Sequence, residues 1–275
     1  MDHDLYDSPL PEIIRNRLPE SLFARHVYFS PTVGSTNTSA KELAKKGAAE
    51  GSMVLAEEQT KGKGRLGRHW HSPSGVNLYF SIVFRPSFSI DRVFSLTMLT
   101  ALALVDGIEH ATGLKTLIKW PNDVFMRDRK VAGILTEFSA KGKRIDYVVI
   151  GAGINVNWDT KGKPDLENIA TSLKGETGYP VSRVDLLVDI LEPLERYYRL
   201  FLKGQDRPIH TRWNELSMVI GKEVLVGPAG TRKRALAKGI DRNGALIIRD
   251  ENGAESSIIC GDVTVLFPSL QGSNR

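Results

Sequence analysis

The chain has 275 residues, 41% hydrophobic and 25% charged, with a formal net charge of +5 and one cysteine, Cys260. That is long enough for one large domain plus a small one around a sizeable core, and ordinary for a soluble globular protein. A lone cysteine excludes an intramolecular disulfide and any cysteine-based zinc site and suits a reducing cytoplasm, while the modest basic excess does not demand nucleic acid.

Residues 1–25 read as a loose lead-in with one short helix, Glu12 to Leu18, stopped by Pro19. The first eleven residues show no basic-then-apolar secretory pattern. Val27-Tyr28-Phe29 is a short strand running into Gly34-Ser35-Thr36-Asn37, and a helix follows from Thr38 to Lys46. Any of Ser35, Thr36 and Asn37 suits the helix N-cap. Three small polar residues in a row also suit ligand hydrogen bonds at a helix N-terminus. Met53 to Glu57 is a strand, followed by Gln59 and then Lys61-Gly62-Lys63-Gly64-Arg65-Leu66-Gly67-Arg68-His69-Trp70.

Leu78 to Phe84 is a β-rich run ended by Pro86. Arg92 to Thr112 is a buried helix stopped by Gly113; its polar interruptions make it too short and too polar for a bilayer span. Strands follow at Thr116 to Lys119, Lys130 to Glu137 and Arg144 to Asn157. Residues 158–168 read as a mobile loop, and Ile169 to Leu173 restarts regular structure. Ser182 to Leu202 is helical, with apolar positions recurring at three and four residues, and Arg207 to Leu216 is one more helix. From Ser217 the pattern changes to short strands with hairpin turns at Asn243-Gly244 and Asn252-Gly253, a small β-barrel. The expected division is lead-in 1–25, catalytic domain 26–216 and β-barrel 217–268.

The basic glycine loop carries the chemistry. It has glycines that allow close backbone approach, four cations before an indole, and no acid. Alone, it fits either a solvated basic loop or an anion site. Lys119-Trp120-Pro121-Asn122-Asp123 ends a strand, because the residue before a proline is held out of the helical region. Lys119 then sits where open sheets place ligand sites, or is an ordinary lysine beside an Asx-rich turn. Gly151-Ala152-Gly153 lacks the third glycine and the helix of a dinucleotide fingerprint, and reads as close packing beside a pocket. No P-loop run exists, and the six histidines show no metal spacing.

Taken in order, Gln59 to Trp70, Lys119 to Val124, Lys130 to Glu137 and Gly151 to Asn157 resemble the biotin protein ligases across roughly residues 27–267. Gly62-Lys63-Gly64-Arg65-Leu66-Gly67-Arg68 matches the family's Gly-Arg-Gly-Arg-x-Gly-Arg loop, with Lys63 in place of arginine. The resemblance implies an α+β fold: a mixed-sheet catalytic domain of the biotin/lipoate ligase type with a small C-terminal SH3-like β-barrel. It implies ATP-dependent ligation of biotin, through biotinyl-5′-AMP, to a lysine of the biotin carboxyl carrier protein of acetyl-CoA carboxylase. ATP with Mg²⁺ is then the co-substrate, with no resident protein metal site. Some relatives carry an N-terminal winged helix; this chain resembles the class that ligates without binding DNA. A cytoplasmic location, no membrane contact and a homodimer formed through the sheets complete the expectation. The nearest alternative is a lipoate-type ligase.

The same resemblance implies site roles. Lys119 and Arg65 are the expected catalytic cations at the biotin carboxylate and α-phosphate. Ser35, Thr36, Asn37, Gln59, Lys63, Gly64, Arg65 and Lys119 match the biotin site, whose ureido ring needs both donors and acceptors. Gly62, Gly67, Arg68, Trp70, Gly133, Gly153 and Asn155 complete the lid and pocket.

Overall fold

The computed structural model describes residues 7–159, 166, 168–227, 232–259, 261 and 263–266. Cys260 and most of the loop expected at 158–168 lie outside the described residues. The chain order is α1 (Pro11–Arg17), β1 (Val27–Val33), α2 (Thr36–Lys45), β2 (Met53–Gln59), β3 (Leu78–Phe84), α3 (Val93–Thr112), β4 (Leu117–Lys119), β5 (Asp123–Met126), β6 (Arg129–Lys141) and β7 (Arg144–Ile154). Then come α4 (Leu173–Thr177), α5 (Arg183–Leu202), α6 (Arg207–Leu216), β8 (Glu223–Val226), β9 (Lys233–Ile240), β10 (Leu246–Arg249), β11 (Glu255–Ile258) and β12 (Val263–Val265).

Seven strands form one mixed sheet in the order β1-β2-β3-β7-β6-β5-β4. Only β1 and β2 run parallel; every other neighbour is antiparallel. Side chains alternate across a strand, and β3 shows what that does. Leu78, Phe80, Ile82 and Phe84 enter the main core beneath α3 and α5, while Val83 enters a second cluster with Ala40 and Ala44 of α2. The sheet is therefore covered on both faces, and β3 is buried along its whole length. This explains its continuous apolar sequence.

The segment α3 with its preceding turn is long and apolar enough to cross a membrane by length and composition, contrary to the reading from its polar interruptions. Its place in the fold explains the composition. It is buried along most of its length against the sheet and α5, and Gly113 closes it at φ 69°. From Asp7 on, the lead-in is not loose either. Ile14 and Phe23 are fully buried, and the Phe23 ring lies 5.7 Å from Phe84 and 6.2 Å from Tyr198.

One buried arginine ties the lead-in to the sheet. The Arg183 side chain is 2% exposed and pairs with Glu57 of β2 at 2.5 Å and Asp7 at 3.0 Å. Burial alone pushes its pKa down, yet those two carboxylates hold it above the ordinary arginine value.

The last five strands form a separate antiparallel sheet, β11-β10-β9-β8-β12, the small SH3-like unit. Its β9–β10 turn at Asn243-Gly244 docks on the large domain. The Trp120 indole N–H donates to the Gly244 carbonyl at 3.1 Å, and a Cβ on Gly244 would meet Phe94 at 2.4 Å. Asp241 holds that turn by accepting from the N–H groups of Asn243 and Ala245.

Replacing Arg183 with leucine strands the Glu57 carboxylate in the interior. The expected cost is about 3–5 kcal/mol of unfolding free energy, read as a lower urea midpoint with an unchanged slope. An unshifted midpoint contradicts the role given to this ion pair.

Candidate active site

The site begins as a bare patch of sheet. On the face toward α2, register pairs Tyr79 with Gly153 and Gly153 with Gly133; the next row pairs Ser81 with Gly151 and Gly151 with Leu135. Three of those six positions carry no side chain. Neighbours occupy the space. A Cβ on Gly151 would lie 1.8 Å from Asn37 Oδ1, and one on Gly153 would lie 2.4 Å from Trp70 Nε1. A Cβ on Gly133 would meet Lys130 Nζ at 2.9 Å and the Trp70 ring at 3.2 Å.

Above this floor sits the N-terminus of α2. Ser35 occupies the N-cap position but makes no side-chain capping bond. Gln59 does the work expected of a cap. Its Oε1 accepts from the Thr36 backbone N–H at 2.8 Å and lies 3.1 Å from Thr36 Oγ1. Its Nε2 donates to Ser72 Oγ at 2.9 Å. The parallel β1–β2 pairing places Gln59 opposite Val33, just before the turn into α2. Ser35, Thr36 and Asn37 are nonetheless all buried, because they line the cavity.

The basic glycine loop closes on itself beside them. Trp70 N donates to the Gly62 carbonyl at 3.0 Å and Gly64 N to the Arg68 carbonyl at 2.7 Å. A 3₁₀ turn at Arg65–Gly67 forms the tip, where Leu66 has φ 56° and Gly67 φ 74°. Gly62 is a packing requirement, since a Cβ there would sit 2.3 Å from the Trp70 carbonyl oxygen. Arg65 reaches out of the tip. Its guanidinium donates to Asn122 Oδ1 at 2.9 Å and to the Gly261 carbonyl at 3.1 Å, joining the loop to both sheets. Lys63 Nζ donates to Thr38 Oγ1 at 3.0 Å.

Lys119 ends β4, partly exposed, with its Nζ 5.2 Å from the centre of the Phe125 ring. Beyond it, Asn122 Nδ2 donates to the Ile134 carbonyl at 2.6 Å. Lys130 pairs with Asp123 at 2.7 Å and lies 5.1 Å from the centre of the Trp70 ring. These parts surround one cavity of about 470 Å³. Cations from four separate stretches line it: Lys63, Arg65 and Arg68 of the loop, then Lys119, then Lys130, then Arg232. Uncharged hydrogen-bonding groups from α2 and β2 line it as well. Such a cavity suits a ligand that is anionic in one part and neutral but polar in another.

Two family descriptions match the chain. Residues 29–155 match the biotin/lipoate A/B protein ligase family, and residues 219–266 match the biotin protein ligase C-terminal domain. The biotin–[acetyl-CoA-carboxylase] ligase of Paracoccus denitrificans is 36% identical over 230 residues, covering 80% of this chain and 93% of that one. The chain belongs to the biotin protein ligase family. The bifunctional ligase/repressor BirA of Bacillus subtilis is 37% identical over 241 residues, 87% of this chain and 74% of that protein. The biotin protein ligase of Aquifex aeolicus in complex with biotin and ATP superposes with a TM-score of 0.76 at 28% identity, covering 88% of this chain and 99% of that one.

Within this biotin ligase fold the cavity gathers Ser35, Thr36, Asn37, Gln59, Lys63, Gly64, Arg65, Arg68, Trp70, Lys119, Gly133, Gly153 and Asn155. Gly62 and Gly67 are not among its lining residues; the first packs under Trp70 and the second turns the exposed tip. Trp70, which lines the cavity, rests against the glycines of its floor. Sequence reasoning left out Lys130, Asn122 and Gly151 as site residues, although all three lie within motifs it singled out. It also missed His71, which packs 5.1 Å from the Trp158 ring, and Arg232 and Thr264 from the C-terminal sheet, for which no local signal exists. Among the described residues no group of three or more His, Cys, Asp or Glu side chains could hold a metal ion.

Gly151→Ala forces the Asn37 amide from its place and is expected to cost about 1–3 kcal/mol in urea unfolding. Adding Asn37→Ala removes the clash, so the two substitutions should couple favourably by about 1 kcal/mol. Strict additivity contradicts the packing of Asn37 on the bare Gly151.

Proposed function

We propose that the chain joins biotin and ATP to make biotinyl-5′-AMP and then transfers the biotinyl group to a lysine of a biotin carboxyl carrier protein, the acetyl-CoA carboxylase carrier by analogy with the Paracoccus relative's name. The observation that carries this reading is the joint lining of one cavity by six cations, Lys63, Arg65, Arg68, Lys119, Lys130 and Arg232, and by the Ser35, Thr36, Asn37 and Gln59 group. In the first step a biotin carboxylate oxygen bonds to the α-phosphorus, and the bond to the pyrophosphate oxygen breaks. Two anions must approach, and negative charge grows on the phosphoryl oxygens. Fixed cations in a site walled from water lower that barrier. In the second step the carrier lysine, as a neutral amine, attacks the biotinyl carbonyl carbon, and AMP departs with the acyl–phosphate electron pair.

Lys119 is the proposed principal cation for the carboxylate and α-phosphate, since it ends a strand at the cavity. Arg65 is the second, and its planar fork can hold two phosphoryl oxygens. Doing so requires it to leave Asn122 and the Gly261 carbonyl. Lys63 supplies a point charge and cannot copy a bidentate arginine contact. ATP enters as its magnesium complex, the ion travelling with the phosphates. Residues 26–216 form the proposed catalytic domain and 217–268 the small β-barrel, with 1–25 as lead-in. The reading includes a cytoplasmic location, a homodimer through the sheets, and no working contact with DNA or membrane. The modest net charge of +5 supports the absence of a DNA role.

A lipoate-type ligase would share the large sheet, but the match to the biotin-type C-terminal domain favours biotin. Pyrophosphate exchange into ATP separates the two. Exchange should require biotin and ignore lipoate, and Lys119→Ala should slow it by about 10²–10³-fold. Exchange independent of biotin overturns the activity, and full exchange in Lys119→Ala overturns the role of that lysine.

A further inference from the structure

Behind the cavity wall lies a pair of charged residues that does not line it. Glu137, on the same face of β6 as Gly133 and Leu135, is ion-paired with Lys41 of α2. Neither residue is among those lining the cavity. Glu137 nonetheless bonds directly to Asn37, which does line it. The Asn37 amide nitrogen has two hydrogens, and both are engaged: one by the Leu135 carbonyl at 3.2 Å, the other by Glu137 Oε2 at 3.0 Å. Neither acceptor can donate, so the nitrogen must face them and the oxygen must face away. That oxygen accepts from Ser81 Oγ at 2.7 Å and lies over the bare Gly151, leaving a second lone pair. The Glu137 carboxyl is suited to this task. Burial pushes its pKa up, but hydrogen bonds from Lys41 and Asn37 outweigh that and hold it below the ordinary glutamate range. It therefore stays ionised, and an ionised carboxylate accepts only.

Gln59 is locked in the opposite sense. Its oxygen is occupied by the Thr36 N–H and hydroxyl, and its nitrogen spends one hydrogen on Ser72. What it has left to offer is one N–H. The cavity thus displays an acceptor at Asn37 and a donor at Gln59. A cyclic urea has the complementary set, ring N–H donors and a carbonyl acceptor; a dithiolane ring has neither.

We propose that Glu137 is a positioning residue that fixes Asn37 as a hydrogen-bond acceptor and so sets the cavity's selectivity for a ligand with a ring N–H. This rests on the biotin reading above and extends it: the ureido N–H of biotin is the group selected. Glutamine at 137 keeps the shape but can donate as well as accept. It frees the Asn37 amide to turn its nitrogen toward the ligand, where two donors would meet.

The test uses the full chain and pyrophosphate exchange, with the KM for biotin and for ATP measured separately. Lys41→Met breaks the ion pair but keeps the carboxylate at 137; assayed at alkaline pH, where a glutamate that has lost its cation partner is still ionised, its KM for biotin should stay within about twofold of the parent. Lys41→Met/Glu137→Gln replaces the accept-only carboxylate with an amide that can also donate, without leaving a stray charge. It should raise the KM for biotin about tenfold, the worth of one hydrogen bond. Its KM for ATP and its kcat at saturating biotin should match those of Lys41→Met. Glu137→Gln alone gives the same reading with Lys41 kept, should the double variant not fold. A KM for biotin unchanged in both glutamine variants overturns the proposal. So does an equal rise in Lys41→Met, or a parallel decline in every parameter, because each marks general support of the fold. A parent chain without biotin-dependent exchange sinks the ligase reading itself, before any variant is made.

Discussion

Three glycines in neighbouring register on β6 and β7 leave the centre of the sheet without side chains on one face, and the cavity is built on that gap. Anything larger at Gly151 would collide with Asn37, and anything larger at Gly153 would collide with Trp70. The gap lets the amide of Asn37 and the indole of Trp70 lie directly on the backbone. From those two residues the rest follows. Asn37 lies in the first turn of α2 and sets the polar end of the cavity. Trp70 ends the basic loop and fixes where its cations return to the sheet. Strands β3 and β7 turn Phe80, Ile82, Ile150 and Ala152 into the main core on the other face, so the bare floor is held rigid from behind.

The charges around the gap are arranged as well as gathered. Lys130 is neutralised in part by Asp123 and covers Trp70, while Arg65 is held by neutral oxygens of Asn122 and Gly261. Those bonds also connect the loop to the C-terminal sheet, whose second anchor is the Gly244 turn on Trp120. The small sheet is therefore tied to the large one at the two stretches that carry the chemistry, and Arg232 and Thr264 reach the cavity from it.

Much of this was legible in the sequence. Leu78 to Phe84 is read directly because a strand buried on both faces must be apolar throughout, and the hairpins at Asn243-Gly244 and Asn252-Gly253 announce themselves through glycine at positive φ. The cavity-lining residues were legible where they cluster in motifs around glycines and a proline. What escaped depended on contacts distant in sequence. Gln59 caps α2 across 23 positions, replacing the local hydroxyl cap that Ser35 suggested. Strand β5 has four residues and starts inside what reads as an Asx turn. The lead-in reads as loose because its partners, Phe84 and Tyr198, lie far along the chain. Glu137 resembles any half-exposed strand residue until Lys41 and Asn37 are seen beside it.

The claim on which the rest stands is that the cavity over the bare glycine floor takes biotin. Calorimetric titration of biotin into Gly153→Ala, with circular dichroism to verify the fold, addresses it most directly. The alanine methyl must displace the Trp70 indole, so a folded variant should bind biotin at least about tenfold more weakly than the parent. A folded Gly153→Ala with the parent's Kd would contradict the account and move the ligand elsewhere.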